Sequence, residues 1–189
     1  MALPSSGAIS FLNINVELGR SSTAMSSLNE SALRGLAGIT SGAISLDHFH
    51  GKANAFVFNQ TISSNTTNYN LKSAAIAAGW DQVKVLAATI TINSGVYVYS
   101  TSTGSYAFDT GSTFPTGSTL ALINNGTIIG RGGDGGNGGN GSAAVPTQNI
   151  AAPGSSGGPA FIARYAISVT NNGTIGGGGG GGGGGSGGG

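Results

Sequence analysis

The sequence is most unusual for how little charge it carries. Only 7% of its 189 residues are charged, and the formal net charge is +1; an average domain has roughly 25% charged residues. A chain so close to neutral offers no electrostatic surface to nucleic acid or to an anionic membrane. The sequence therefore predicts no nucleic-acid partner, and its solubility depends on Ser, Thr, Asn and exposed backbone.

Cysteine is absent, which excludes a disulfide framework, a thiolate nucleophile and a cysteine metal site. This absence fits assembly in a reducing cytoplasm. The opening residues have neither the basic start nor the long apolar stretch of a signal peptide. No segment approaches the ~20 apolar residues of a membrane span. We therefore expect the protein to be made in the cytoplasm.

Residues for catalysis and metal binding are equally scarce. The six acidic residues are scattered, so a pair of catalytic carboxylates is unsupported. His48 and His50 could bind a metal from one face of a strand, but they point apart in the short helix predicted there. Glycines follow Asp134, where a calcium-binding repeat needs a large apolar residue. The sequence predicts no enzyme, no metal site and no cofactor.

Residues 1–54 contain three short segments that each follow a serine able to cap a helix. Ser10, Ser27 and Ser45 are these serines, and the second helix is predicted to end at Gly35. Helices this short are marginal alone, so they need a partner to hold them. We interpret the region as a segment that docks onto a larger particle. Its candidate docking residues are the apolar Phe11, Leu12, Val16, Leu28, Leu33, Leu46 and Phe49.

Residues 55–130 are predicted to form a β-rich body with one helix. The alternating segment 55–62 is typical of a strand. The Ala-rich segment 68–80 predicts a helix, with Asn70 as a plausible cap. Trp80 ends this helix, and a lone tryptophan is more often a core anchor than a ligand platform.

Two turn signals in this body predict tight, hairpin-like turns. Strands are expected over 83–92 and 96–100, with the turn at residues 93–95 between them. Residues 118–130 are expected to form two short strands around Asn125-Gly126.

One unit occurs twice. The sequence Asn-Asn-Gly-Thr-Ile stands at 124–128 and again at 171–175, each time after an apolar strand and before a glycine run. A repeated unit usually packs against its own copy, so we expect these two to lie side by side.

The glycine tract at 131–141 has a side chain at every third position. Three residues per turn is the period of a polyproline-II-type helix. Arg131, Asp134, Asn137 and Asn140 would then form one polar row, with two bare edges that allow other such helices to approach. Segments 152–159 and 176–185 could supply those neighbours. A flexible glycine linker is the alternative.

The predicted fold class is mainly β with short N-terminal helices: a β-rich body plus packed polyglycine-II helices. We divide the chain into a docking segment (1–54), the body (55–130) and a glycine-rich layer (131–189). Tyr97 and Tyr99 share one face of a strand, and with Tyr106 they are candidates for an exposed aromatic surface. That surface could bind sugar or protein, or cover a neighbouring subunit.

Several stretches carry a resemblance to a known class of proteins. "SSGAIS", "NVELGR", "SLNESALRGLAG" and "SGAISLDHFHGK" are similar to the N-terminal segment of tail fibre and minor tail proteins of tailed bacteriophages. "LKSAAIAAGWDQ" and "LALINNGTIIGRGGDGGNGG" resemble the glycine-rich domain of phage proteins that recognise receptors. The glycine tracts also resemble those of the tip adhesins of T-even-type phages, although they are fewer and the loops between them are short.

This resemblance implies a structural protein of the virion, at the tail tip, tail fibre or baseplate. It would attach through residues 1–54 and contribute to recognition of the host surface. Its implied partners are other tail or baseplate proteins, a host receptor (polysaccharide or outer-membrane protein) and further copies of itself, with a trimer as one possibility. The alternatives are a purely architectural collar, baseplate or connector subunit and a tail depolymerase, against which the sparse carboxylates argue.

Overall fold

The structure, a computed structural model, describes residues 3–139 and 151–185. It contains short helices at the N-terminal end and many short strands. The helices are α1 (Phe11–Glu17), α2 (Ser31–Ala37) and α3 (Leu71–Ala77), with a 3-10 helix at Leu46–Phe49. The strands are β1 (Ala55–Ile62), β2 (Thr66–Thr67), β3 (Tyr69–Asn70), β4 (Val85–Ile92), β5 (Tyr97–Tyr99), β6 (Phe108–Asp109), β7 (Thr119–Asn124), β8 (Thr127–Ile129), β9 (Phe161–Ile162), β10 (Ile167–Asn171) and β11 (Thr174–Gly176). Among the described residues, no helix has the length and apolar character needed to cross a membrane.

The strands form a three-sided solenoid in which every pairing is parallel. The first sheet has the order β1-β4-β7-β10, the second β11-β8-β5-β2 and the third β3-β6-β9. The chain thus visits the three sheets in turn and then returns to the first. We call each circuit a coil; the fourth coil contains β10 and β11. The predicted mainly β class is confirmed, and the sheets are parallel.

The sequence repeat sets the register between the third and fourth coils. Leu120 of β7 pairs with Ile167 of β10, and Thr127 of β8 pairs with Thr174 of β11. Both pairs are 47 residues apart, which is also the spacing of the repeated Asn-Asn-Gly-Thr-Ile. The predicted packing of this unit against its own copy is confirmed.

The solenoid is filled by the inward-facing residue of each strand. In β4, half-buried and buried positions alternate along all eight residues, as expected for a strand with one face in a core. The same side chains stack from coil to coil. The fully buried members include Leu86, Ile90, Ile92, Val98, Phe108, Leu122 and Ile128.

Helix α3 contributes to the core in the first coil. It starts after Asn70, whose side-chain oxygen accepts a hydrogen bond from the backbone N–H of Ser73 at 2.9 Å. Leu71 and Ala75 of the helix are fully buried. Trp80 follows, 2% exposed, and its indole N–H donates to the carbonyl of Lys84 at 2.8 Å. The predicted Asn70 cap and the predicted core position of Trp80 are both confirmed.

The two predicted hairpins are wrong. β4 and β5 lie in different sheets, and so do β7 and β8, so each turn carries the chain around a corner of the solenoid. Gly126 shows the physical reason. Its φ is not left-handed, but a Cβ there would lie 2.4 Å from the carbonyl oxygen of Val96 in the coil below. This glycine therefore permits close stacking of coils, whereas a hairpin glycine supplies a left-handed φ.

Asparagine side chains join neighbouring coils at one corner. The amide of Asn124, a fully buried residue, donates to the side-chain oxygen of Asn171 at 2.7 Å and to the carbonyl of Thr174 at 3.1 Å. Beside it, the amide of Asn172 donates to the side-chain oxygen of Asn125 at 2.9 Å. The repeated Asn-Asn pair therefore aligns the two copies of the unit.

Residues 3–54 fold around a small core of their own. Its buried apolar members are Leu3, Ile9, Ile14, Leu33, Ala37 and Phe49. The two ends of this region are joined, because Leu3 N–H donates to the carbonyl of Lys52 at 2.8 Å. The short helices are thus held by one another, which is how such marginal elements persist.

The predicted bounds of α2 need correction. The predicted Ser27 cap is wrong: Glu30 is the residue that precedes the helix, and no side chain caps it. The Glu30 carboxylate instead accepts a hydrogen bond from the N–H of Ser27 at 2.7 Å. The helix does not end at Gly35 but runs to Ala37, where Gly38 follows with φ of 75°. The reason is that only a glycine in the left-handed region ends a helix in this way, and Gly35 keeps helical geometry.

Candidate functional site

Three glycine-rich segments lie beside the solenoid and hydrogen-bond to one another. They are 130–139, 152–158 and 176–185, here the first, second and third glycine segments and together the glycine bundle. The first donates to the third, the third to the second and the second to the first, always through the N–H of every third residue. These N···O distances are 2.7–3.0 Å. The segments therefore form a closed ring, whereas the sequence led us to expect a flat layer.

The direction of each segment follows from the order of its partners. Gly130 N–H donates to Gly176 O and Gly136 N–H to Gly182 O, so the first and third segments are parallel. Gly158 N–H donates to the carbonyl of Arg131, at the opposite end of the first segment, so the second runs antiparallel to it. Residues 152–158 thus supply the neighbour that the sequence suggested.

Packing in the bundle requires glycine at every third position. At each inward position, a Cβ would lie no more than 2.1 Å from a backbone carbonyl oxygen of another segment. The positions are Gly130, Gly133, Gly136, Gly154, Gly157, Gly178, Gly181 and Gly184. No side chain fits there, so the backbones themselves are in contact.

The polar residues of the first segment recur at every third position and are exposed. Arg131, Asp134 and Asn137 all belong to this row, which we call the polar row. The Arg131 guanidinium donates to the carbonyl of Thr101 at 2.9 Å and to the carboxylate of Asp134 at 3.3 Å. Asn137 has no side-chain hydrogen bond among the described residues. Asn140, the fourth predicted member, lies outside the described residues.

The predicted aromatic surface divides into two parts. Tyr97 and Tyr99 point outward from β5 and are 49% and 39% exposed. Tyr106 lies in the corner before β6, half-buried, with its ring centroid 5.5 Å from the guanidinium carbon of Arg164. Arg164 in turn pairs with the Asp109 carboxylate at 3.1 Å. Tyr106 therefore belongs to a local contact, while the two strand tyrosines face solvent.

The predicted docking residues also divide. Leu12 and Val16, one helical turn apart on α1, are 52% and 56% exposed. Leu33 and Phe49 are fully buried in the small core and offer no contact surface. The remaining three, Phe11, Leu28 and Leu46, are partly buried against that core.

The most exposed large apolar residue of the described chain was not among the predicted docking residues. Met25, in the loop between α1 and α2, is 97% exposed. No periodic pattern includes it, because it belongs to neither helix. Its presence in a chain with only two methionines is the one signal that could have drawn attention to it. We call Leu12, Val16 and Met25 the N-terminal apolar residues.

The two histidines serve the local backbone. His48 Nδ1 accepts a hydrogen bond from the N–H of Ser45 at 3.0 Å, which caps the 3-10 helix. His50 Nε2 lies 2.8 Å from the carbonyl oxygen of Gly7. Within the described part of the chain, no group of three or more His, Cys, Asp or Glu side chains could hold a metal ion.

Comparison with known proteins identifies a family for most of the chain. No curated protein and no solved structure is significantly similar to it. A family model does match: that of "Phage tail fibre adhesin Gp38" covers residues 57–189, well over half of the sequence. The match includes nearly the whole solenoid and the glycine bundle, and the N-terminal region precedes it. The chain therefore belongs to the phage tail fibre adhesin family, whose members are adhesins rather than enzymes.

Proposed function

We propose that this adhesin attaches to the phage tail through residues 3–54 and presents the glycine bundle and the solenoid to the host surface. The observation that carries the proposal is the polar row, which is exposed on segments joined mainly by backbone hydrogen bonds. Ser155 adds one side-chain contact, since its hydroxyl accepts a hydrogen bond from the N–H of Asp134 at 2.7 Å. The family match supports host recognition for residues 57–189. The resemblance of the N-terminal stretches to virion proteins supports attachment by the remainder. Other tail or baseplate proteins are the proposed partners at that end.

The glycine segments are polyglycine-II helices in this proposal. Their hydrogen bonds recur every third residue, which is the period of a polyproline-II-type chain. Every inward position is a glycine whose Cβ would overlap a neighbouring carbonyl. Ordering glycine has a high entropic cost, so such segments need many lateral hydrogen bonds, and the ring provides one donor and one acceptor per turn of each segment.

Host contact at the polar row is tested by substitutions that leave the packing intact. Asn137→Ala and Asp134→Ala remove exposed side chains without changing an inward glycine. We expect particles that carry both to assemble normally but to adsorb more slowly, measured as the adsorption rate constant on host cells. The control is Val57→Ala, an exposed position on the first sheet. Unchanged adsorption by intact particles would favour the purely architectural role.

Attachment through the N-terminal apolar residues has a separate test. Exposed large apolar side chains mark interaction surfaces when they cluster, and Leu12 and Val16 share one face of α1. We expect Leu12→Glu with Val16→Glu to lower incorporation of the protein into purified particles, measured by quantitative immunoblot. The matched control is Thr23→Glu, an exposed position in the same region. Equal incorporation of both variants would refute attachment at this face.

A further inference from the structure

The outward face of the second sheet carries an aromatic pair on a rigid support. Tyr97 and Tyr99 alternate with the inward Val98 on β5. Parallel neighbours place Thr127 beside Tyr97 and Ile129 beside Tyr99. Two residues along a strand bring the rings roughly 7 Å apart. We call the outward side chains of these two strands the Tyr face.

The two tyrosines of this face are unlike the other three in the chain. Tyr69 is buried, and its hydroxyl donates to a glutamine side chain at 2.6 Å. Tyr106 packs against a guanidinium, and the hydroxyl of Tyr165 donates to a backbone carbonyl at 3.4 Å. Tyr97 and Tyr99 have no side-chain hydrogen bond and no ring contact among the described residues. Their rings and hydroxyls thus have no structural role that would explain them.

The Tyr face is uncharged. None of the strands of the second sheet contains a charged residue. The nearest charge that follows along the chain is Arg131, and its guanidinium is already paired with Asp134. Hydroxyl groups of tyrosine and threonine both donate and accept hydrogen bonds. The chemistry of the face therefore suits a neutral ligand rich in hydroxyl groups.

The area of the face is small. Two adjacent strands of three residues each cover roughly 100 Å². A stable protein interface needs about 800 Å² from each partner. A second copy or a protein receptor would therefore have to bury much more than this sheet offers, whereas two or three sugar rings fit within it.

We propose that the Tyr face binds a neutral glycan, with pyranose rings stacked on Tyr97 and Tyr99 and hydroxyl groups bonded to the tyrosine and threonine hydroxyls. The flat apolar side of a sugar ring is complementary to an aromatic face, and the stiff solenoid keeps both rings in place. This inference rests on the proposed host contact and names its ligand class.

The experiment measures sugar binding by the purified full chain. Saturation-transfer NMR is recorded with maltohexaose, cellohexaose and laminarihexaose as neutral probes and with hexagalacturonate as an anionic probe. We expect a saturation-transfer signal on the pyranose ring protons of at least one neutral sugar. Tyr97→Ala with Tyr99→Ala should weaken binding at least about tenfold, whereas Tyr97→Phe with Tyr99→Phe should keep the stacking. Val57→Ala, exposed on another sheet, serves as the unaffected control.

The binding results either support or overturn the proposed glycan site. Binding of a neutral probe that the double alanine variant loses supports the proposal. Silence of all three neutral probes, binding that survives the double alanine variant, or preference for hexagalacturonate overturns it. Adsorption of particles that carry the double alanine variant is measured separately. Normal adsorption together with lost sugar binding would refute the proposed host contact at this face while leaving the glycan site intact.

Discussion

Neighbouring glycines of the third glycine segment should respond to alanine in opposite ways. A Cβ on Gly181 would lie 2.0 Å from the carbonyl oxygen of Asp134, whereas a Cβ on Gly182 would meet nothing within 4 Å. Neither residue has a left-handed φ, so alanine can adopt both backbone conformations. Gly181→Ala and Gly182→Ala therefore form a matched pair that differs only in the direction of the added methyl group.

The magnitude follows from the contacts around Gly181. Ordinary contact begins at 3.4 Å, so Gly181→Ala must push the segments apart. Two hydrogen bonds, from Gly181 N–H to Ser155 O and from Ser155 N–H to Asp134 O, are both 2.8 Å long and would then lengthen beyond hydrogen-bonding distance. Two lost hydrogen bonds and the overpacking together give about 2–6 kcal/mol. Gly182→Ala should instead stabilise by about 0.4–1 kcal/mol, since it restricts the unfolded chain.

The assay must distinguish opening of the glycine bundle from unfolding of the solenoid. Hydrogen exchange of the Gly133 and Gly136 amides, which donate to the third segment, reports opening of the bundle. Tryptophan fluorescence reports the solenoid, because Trp80 is buried in it. A loss of 2 kcal/mol corresponds to about 30-fold faster exchange. We expect Gly181→Ala to exchange these amides at least about 30-fold faster while the fluorescence transition stays unchanged. Similar exchange rates in Gly181→Ala and Gly182→Ala would refute the inward packing of Gly181.

Two further perturbations test the asparagine corner and the N-terminal region. Asn124→Ala should lower the free energy of unfolding by about 1–3 kcal/mol in urea, because the buried N–H of Gly126 loses the Asn124 side-chain oxygen as its acceptor. Asn172→Ala, at an exposed position, should change it by less than about 0.5 kcal/mol. Equal effects would contradict a stabilising role of the buried Asn124 at this corner. The Arg20 guanidinium, with help from a backbone N–H, holds the pKa of Glu30 below its ordinary 4.5. The contribution of the Arg20–Glu30 pair to folding stability is therefore present above pH 4.5 and is lost as the pH falls through the lowered pKa. The free energy of unfolding in urea should therefore fall slightly more between pH 5 and pH 3 in the parent protein than in Glu30→Gln. Equal changes in the two proteins would contradict a stabilising Arg20–Glu30 pair.

Local patterns predicted the elements but not how the coils are joined. The strand over 55–62 and the helix cap at Asn70 follow from alternation and side-chain chemistry, which act within a few residues. The Asn125-Gly126 turn signal is equally local: it indicates that the chain bends. Whether the bend closes a hairpin or turns a corner depends on residues about 30 positions away, such as Val96. The repeat was the one signal of this long-range pairing, and it predicted the stacking correctly.

The candidate surfaces show the same limit. The three-residue period placed Arg131, Asp134 and Asn137 at equivalent exposed positions, because that period belongs to the chain itself. Leu33 and Phe49 could not be told from surface residues, since short helices show too few turns to define a buried face. Which segment neighbours which in the bundle depends on tertiary packing that no local pattern encodes.

The scarcity of charge and the abundance of glycine have one physical consequence for the bundle. Its segments are joined by backbone hydrogen bonds, and their inward positions carry no side chain at all. The side chains of Asp134 and Asn137 take no part in that packing, whereas the Arg131 guanidinium also donates to the carbonyl of Thr101. The pair of Arg131 and Asp134 is largely exposed and contributes little to stability. Asp134 and Asn137 can therefore be exchanged for other side chains at little cost to the fold, which is the property that a surface for host recognition needs.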